Sequence, residues 1–235
     1  MLEKTRGIVL KSIKYSETSL ICKVFTEKFG VLSFMVPGIR STKNRRGNIL
    51  QSGQLLEVDF YHRENKNFQH FKEYKVSHIP INTYSDIKRT SVQSFLIELS
   101  LQLVKEGEEN NELFDHLYDS LMTIDREEVK GMFAIDQLLN ISKILGFYPS
   151  TNKSEGLNYF NITEGVFQSQ KDYQDYILDL RTSALIQSLL EGNRNFNSSE
   201  RKTLLDTLLL YFQHHIPNFK KLRSIDILGE LVKLG

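Results

Sequence analysis

The chain has 235 residues, of which 40% are hydrophobic and 25% charged, and a net charge of +1. That length allows one large domain or two small ones, and that composition excludes a disordered or fibrous chain. The small net charge hides an asymmetry: residues 1–80 sum to +7 and residues 81–235 to −6, which predicts a basic part for a polyanion and an acidic, apolar part for packing or protein contacts.

The first six residues, Met1 to Arg6, lead into an alternating segment and lack the apolar core of a signal peptide. The apolar runs are only a few residues long, so no membrane span is expected. Ile8 to Ile13 and Leu20 to Phe25 alternate with polar positions at period two and read as strands. Cys22, the lone cysteine, alternates with Leu20 and Val24 and reads as core. A single cysteine excludes an intrachain disulfide and a cysteine-based zinc site, and it fits a reducing, cytosolic compartment. Glu17 and Thr18 fit a turn held by local side-chain hydrogen bonds better than a catalytic pair. The turn Glu27-Lys28-Phe29-Gly30 leads into a third strand, Val31–Val36, which Pro37-Gly38 ends.

Residues 37–47 place Arg40, Lys43, Arg45 and Arg46 between two strand-like stretches, with no acid among them and with Gly38 and Gly47 permitting turns. Four cations presented from a β-scaffold suit a polyanion backbone, and nucleic acid is the first candidate. The arginines suit bidentate phosphate contact, and Lys43 acts as a point charge. Leu55–Tyr61 then alternates as a fourth strand, Asn65-Lys66-Asn67 is a turn, and Phe68–Val76 is the fifth segment. This strand count fits a small closed barrel of the OB type, and an SH3-like barrel fits it as well. Arg6, Lys11, Lys14, Lys23 and Lys72 are secondary phosphate candidates; Lys11 and Lys23 equally suit protection of a sheet face or edge. Tyr61, Phe68, Phe71 and Tyr74 could stack on bases, but at strand period some of them must fill the barrel.

At Ile79-Pro80-Ile81-Asn82 the periodicity changes from 2 to 3.6, which predicts a boundary between domains at 1–80 and 81–235. Val92, Phe95, Leu96, Leu99 and Leu103 form one helical face; Leu113, Phe114, Leu117 and Leu121 form a second. Met132, Ile135, Leu138, Leu139 and Leu145 form a third, with Gly146 as C-cap. Residues 150–170 are polar and irregular. Helical signal returns at 182–191. Asn197 and Glu200 make a capping box for a helix that runs through His215 and stops at Pro217, and a last short helix is predicted over Ile225–Leu231. The acids Glu106, Glu108, Glu109 and Glu112 read as a solvated interhelix loop. The adjacent His214 and His215 do not have the i, i+4 spacing of a zinc pair. No P-loop, G-x-S-x-G or dinucleotide fingerprint is present.

Taken together, Gly7-Ile8-Val9-Leu10-Lys11-Ser12, Tyr15-Ser16-Glu17-Thr18, Phe25-Thr26-Glu27-Lys28-Phe29-Gly30, Pro37-Gly38-Ile39-Arg40 and Gly47-Asn48-Ile49-Leu50-Gln51 resemble the RecO family of bacterial recombination-repair proteins. Leu222-Arg223-Ser224 resembles the family's end. Of the four loop cations, only Arg40 falls in a family motif. The resemblance implies an α+β chain: an N-terminal OB-fold β-barrel followed by an all-α C-terminal domain. It implies binding of single- and double-stranded DNA, annealing of complementary strands, and work with RecR and the single-stranded DNA-binding protein so that RecA loads. Many members carry a four-cysteine zinc motif after an L-G-F-x-P stretch. Here Leu145-Gly146-Phe147-Tyr148-Pro149 is present, but residues 150–170 hold no Cys or His. Leu157, Tyr159, Phe160, Ile162, Val166 and Phe167 are expected to supply packing in place of a metal.

The expected function is that of a non-enzymatic mediator without cofactors, cytoplasmic and nucleoid-associated. Its DNA contacts would come from Arg40, Lys43, Arg45, Arg46, Arg6, Lys11, Lys14 and Lys72. A helical-domain groove, with Lys220, Lys221 and Arg223 near the last helix, would receive the acidic C-terminal tail of the single-stranded DNA-binding protein. The alternatives are a general single-stranded nucleic-acid module, for DNA or RNA, without mediator activity, and a metal-dependent nuclease. The sequence offers the nuclease no ordered carboxylate or histidine cluster.

Overall fold

The computed structural model describes residues 1–39, 50–64, 66–150, 156, 158–169 and 176–225. It is α+β. Five antiparallel strands come first: β1 (Leu2–Lys14), β2 (Leu20–Thr26), β3 (Gly30–Val36), β4 (Leu55–Tyr61) and β5 (Phe71–His78). They form one sheet in the order β3-β2-β1-β4-β5.

The sheet does not close into the barrel expected from the strand count. β3 and β5 are its edges, and a single parallel bridge, Phe34 to Gln69, joins the β3 edge to the segment before β5. The Met35 N–H donates to the Gln69 carbonyl at 2.9 Å, and the Gln69 N–H donates to that of Ser33 at 2.8 Å. β5 begins at Phe71 rather than at Phe68, so this segment meets β3 at one residue instead of along a ladder.

The core of the sheet lies on one face, where Val9, Cys22, Val24, Phe34, Val58 and Phe60 pack together. A bulge between Val9 and Lys11 inserts Leu10 into β1. Ile8, Val9 and Leu10 are therefore all buried in succession, and the alternation of β1 changes face across them.

After the sheet come α1 (Ile81–Ser85), α2 (Ile87–Leu103), α3 (Asn111–Arg126) and α4 (Phe133–Ile144). The antiparallel pair β6 (Tyr159–Asn161) and β7 (Val166–Gln168) precedes α5 (Leu180–Leu190) and α6 (Ser198–His215). The part after the sheet is thus not all-α. The short α1, directly after Pro80, was not expected. The cap signals hold: Asn197 and Glu200 form the reciprocal capping box of α6, which ends at His215 before Pro217, and Gly146 follows α4 at a φ of 81°.

The described residues form two compact units: Met1–Glu128 with Leu222–Ser224, and Val129–Lys221 with Ile225. In the second unit Phe160, Ile162 and Phe167 are buried as expected, Tyr159 is half-buried and Val166 is exposed. Leu157 and the residues of the expected last helix beyond Ile225 lie outside the described residues. In the first unit Leu222 is buried, and Glu98 of α2 accepts the N–H groups of Arg223 and Ser224 at 2.8 and 2.9 Å and the Ser224 hydroxyl at 2.7 Å.

A polar knot ties β5, α1, α2 and α3 within that first unit. The buried Asp125 carboxylate accepts from the Thr83 N–H (2.8 Å) and hydroxyl (3.0 Å) and bonds His78 Nε2 at 2.9 Å. Its backbone carbonyl takes Asn82 Nδ2 and an Arg89 guanidinium N–H. Burial opposes the Asp125 charge, but the Thr83 and His78 donors outweigh it and hold the carboxyl below the ordinary aspartate range. Asp125→Ala should lower the unfolding free energy in urea by about 3 kcal/mol, because the buried donors lose their acceptor. A folded pKa below the unfolded value of about 3.9 stabilises above that pH and loses its effect as pH falls through the folded value. The stability gap between wild type and Asp125→Asn should therefore narrow below about pH 4, and a gap that is constant with pH would contradict this role.

Candidate nucleic-acid interface

Strand register divides the side chains of β1–β3 between two faces. Val9, Cys22, Val24 and Phe34 point to the core. The opposite face carries, in pairs, Ile8 and Phe25, Lys11 and Lys23, and Ile13 and Ile21 across β1 and β2. β3 continues these rows with Val31, Ser33 and Met35.

Among the described residues, this second face is covered at the Gly30 end. Phe25 and Val31 are buried; Phe25 meets Phe114 of α3 edge-on at 5.3 Å, and Val31 bridges to Glu106. The segment after α2 lies so close to the β2–β3 turn that a Cβ on Gly30 would stand 2.3 Å from the Glu108 carbonyl oxygen, and Gly30 has a φ of 61°. Only glycine meets both conditions. The acidic segment is the exposed interhelix loop expected, and it also touches the sheet, where Glu106 pairs with Lys23 at 2.9 Å.

Arg40, Lys43, Arg45 and Arg46 lie outside the described residues. The residues that flank them are placed. Val36 pairs with Leu20, which pairs with Lys14, and Ile39 is buried in the sheet core. On the return side, the Ser12 hydroxyl donates to the Leu50 carbonyl at 2.5 Å. Both flanks thus meet the sheet at the end of β1 that carries the exposed Lys11 and Lys14.

Arg6 is placed differently. Its guanidinium donates to both Glu27 carboxylate oxygens, at 3.1 and 2.8 Å, and to Asp115 at 2.6 Å. It lies 5.2 and 5.1 Å from the ring centres of Phe114 and Tyr118. The Glu27 hydrogen bond, set against desolvation and joined by Asp115, raises the Arg6 pKa, and the same bond lowers that of Glu27. Lys72 is exposed, with its ammonium 6.0 Å from the Tyr61 ring centre. Lys220 and Lys221 belong to the second unit. Arg223 belongs to the first, where Glu98 holds its backbone.

The four candidate stacking rings separate into two pairs. Phe71 lies parallel to Phe34 at 4.1 Å, and Tyr74 packs on Phe71 at 4.8 Å; both rings join the core. Tyr61 is half-exposed, and Phe68 meets Tyr15 at 6.4 Å. Tyr15, which was not among the candidates, is an exposed ring in the β1–β2 connection.

Burial raises the Cys22 thiol to about 11. Among the described residues no group of three or more His, Cys, Asp or Glu is placed to hold a metal. The Tyr15 and Ser16 N–H groups donate to the Ser19 carbonyl, which makes Tyr15–Ser19 a local turn around Glu17 and Thr18.

Two family models match the chain: "Recombination protein O N terminal" over residues 1–80 and "Recombination protein O C terminal" over residues 84–224. The chain is 32% identical to the DNA repair protein RecO of Flavobacterium johnsoniae, over 97% of this chain and 98% of that one. It is 31% identical to that of Flavobacterium psychrophilum over the same shares, and 30% identical to that of Christiangramia forsetii over 98% and 99%.

The geometry separates structural from surface cations. Arg6→Ala removes two ion pairs and two ring contacts of a half-exposed side chain, and should cost about 1–2 kcal/mol in urea denaturation. Lys11→Gln and Lys14→Gln should each stay within about 0.5 kcal/mol of wild type. Equal effects at the three positions would refute the division.

Proposed function

The chain belongs to the RecO family, and we propose on that premise that it is a recombination mediator in DNA repair. It binds single- and double-stranded DNA and anneals complementary strands. With RecR and the single-stranded DNA-binding protein it assists the loading of RecA. On this reading the sheet is of the OB type, left open at the seam between β3 and the segment before β5. The protein works in the cytoplasm on nucleoid DNA; among the described residues no helix is long and apolar enough to cross a membrane.

The observation that carries the proposal is the placement of Lys11 and Lys14. They stand at the end of β1 where both flanks of the Arg40–Arg46 segment meet the sheet, through Val36 on one side and Leu50 on the other. Cations gathered there neutralise backbone charge and lower the repulsion between two complementary strands. That effect uses no bond-breaking step, so annealing proceeds without nucleotide or metal. Arg6 stands outside the proposed DNA contact, because its donors are engaged by Glu27 and Asp115.

A strand-annealing assay on naked DNA and on DNA coated with its single-strand-binding protein tests this, with neither nucleotide nor metal added. Annealing of both is expected. Binding without annealing would favour a general single-strand module, and metal-dependent cleavage would overturn the non-catalytic reading. In a salt titration on a single strand, Lys11→Gln with Lys14→Gln should make the slope of log K against log salt shallower by about 1. An unchanged slope would remove the two lysines from the interface.

A further inference from the structure

Near its end the chain enters the first unit a second time. Leu222, Arg223 and Ser224 belong to that unit, while Lys221 before them and Ile225 after them belong to the second. Two attachments hold these residues. The Leu222 side chain is buried. The Glu98 carboxylate of α2 divides its oxygens among the donors: Oε1 takes the Arg223 N–H at 2.8 Å, and Oε2 takes the Ser224 N–H at 2.9 Å and the Ser224 hydroxyl at 2.7 Å. Desolvation opposes the Glu98 charge, but these donors outweigh it and hold the carboxyl below the ordinary glutamate range. The stretch that leads there from the end of α6 has no helix or strand, and its Pro217, Asn218, Lys220 and Lys221 are exposed. On the α6 side it is fixed by the Ile216 N–H, which donates to the Phe212 carbonyl at 2.8 Å, and by the Phe219 ring, 5.9 Å from that of Phe212.

We propose that Glu98 is a releasable latch, and that residues 216–224 are a strap that leaves α2 as one piece when the carboxylate lets go of Arg223 and Ser224. Local opening costs what it breaks. At α2 that is the burial of one leucine and the bonds to one carboxylate, and no helix or sheet ladder runs through the strap. The bonds are charge-assisted, which makes the closed state the resting one. They also fail together, because both acceptor oxygens belong to one side chain and a rotation of Glu98 frees every donor at once. Closed, the latch ties the chain of the second unit to α2 in addition to the covalent passage at Glu128–Val129. Open, the strap becomes slack and that tie is lost. The latch therefore sets how much freedom the chain leaves the second unit. It does not depend on the DNA-binding reading.

Limited trypsin digestion of the full chain under native conditions tests the latch. Lys220 and Lys221 lie in the strap, and a protease needs a stretch of opened chain around the bond it cuts, so the cleavage rate there reads the open population. Glu98→Gln keeps the shape of the side chain and removes its charge. It should raise the rate at Lys220 and Lys221 about tenfold and leave the rates at other Lys and Arg positions as in wild type. Ser224→Ala removes one donor at a half-buried position and should raise the strap rate about threefold. It also keeps the test open where Glu98→Gln does not fold. A strap rate unchanged in the variants that fold would overturn the latch. Equal acceleration at every cleavage position, with a lower urea midpoint, would make Glu98 a general support of α2 and overturn it too.

Discussion

One guanidinium fixes how the first unit is put together. Arg6 projects from β1 and takes Glu27, at the end of β2, and Asp115 of α3 at once. Its flat surface meets Phe114 and Tyr118 of the same helix. The two ion pairs are half-exposed and individually weak. Their value is geometric: the planar fork and the rings set the rotation of α3 against the strands. That rotation lays Phe114 on Phe25, and the connection from α2 to α3 then lies against Gly30. The covered half of the outward face follows from this clamp, and so does the half left open.

The second determinant is the bulge at Leu10. Strict period two would put Val9, Lys11 and Ile13 on one face. With Leu10 inserted, Val9 faces the core while Lys11 and Ile13 face out, paired with Lys23 and Ile21. One extra residue thus moves one cation, Lys11, and an isoleucine from a core-facing to an outward position. It also turns Ser12 inward, where it reaches the Leu50 carbonyl and holds the return of the basic segment.

These two features explain what the sequence made legible. Strands β1 to β4 and helices α2 to α6 follow from local periodicity, and the ends of α4 and α6 from local capping chemistry at Gly146, Asn197 and Pro217. A bulge leaves no local signature in an apolar run such as Ile8-Val9-Leu10, so the direction of Lys11 could not be read. The open seam was equally hidden, since it depends on where Gln69 meets Phe34 across the sheet. Arg6 read as a free phosphate ligand because Asp115, its partner, is more than a hundred residues away in the chain. Arg40, Lys43, Arg45 and Arg46 lie outside the described residues, and the segments that flank them arrive beside Lys11 and Lys14.

The change of periodicity at Pro80 marks where strand gives way to helix, yet the compact unit continues to Glu128. The reason lies in the sheet itself. A five-stranded sheet open at one seam, with Phe25 and Val31 on its outward face, would expose apolar surface if it stood alone. α3 and the segment before it cover that end. The Asp125 knot holds α1, α2 and α3 to the end of β5, and Glu98 holds Leu222–Ser224 on α2. The helices nearest in sequence thus complete the sheet. Among the described residues, α3 and that segment cover the outward face as far as the Lys23 row. A single covering element therefore sets both the stability of the sheet and the limits of its open face.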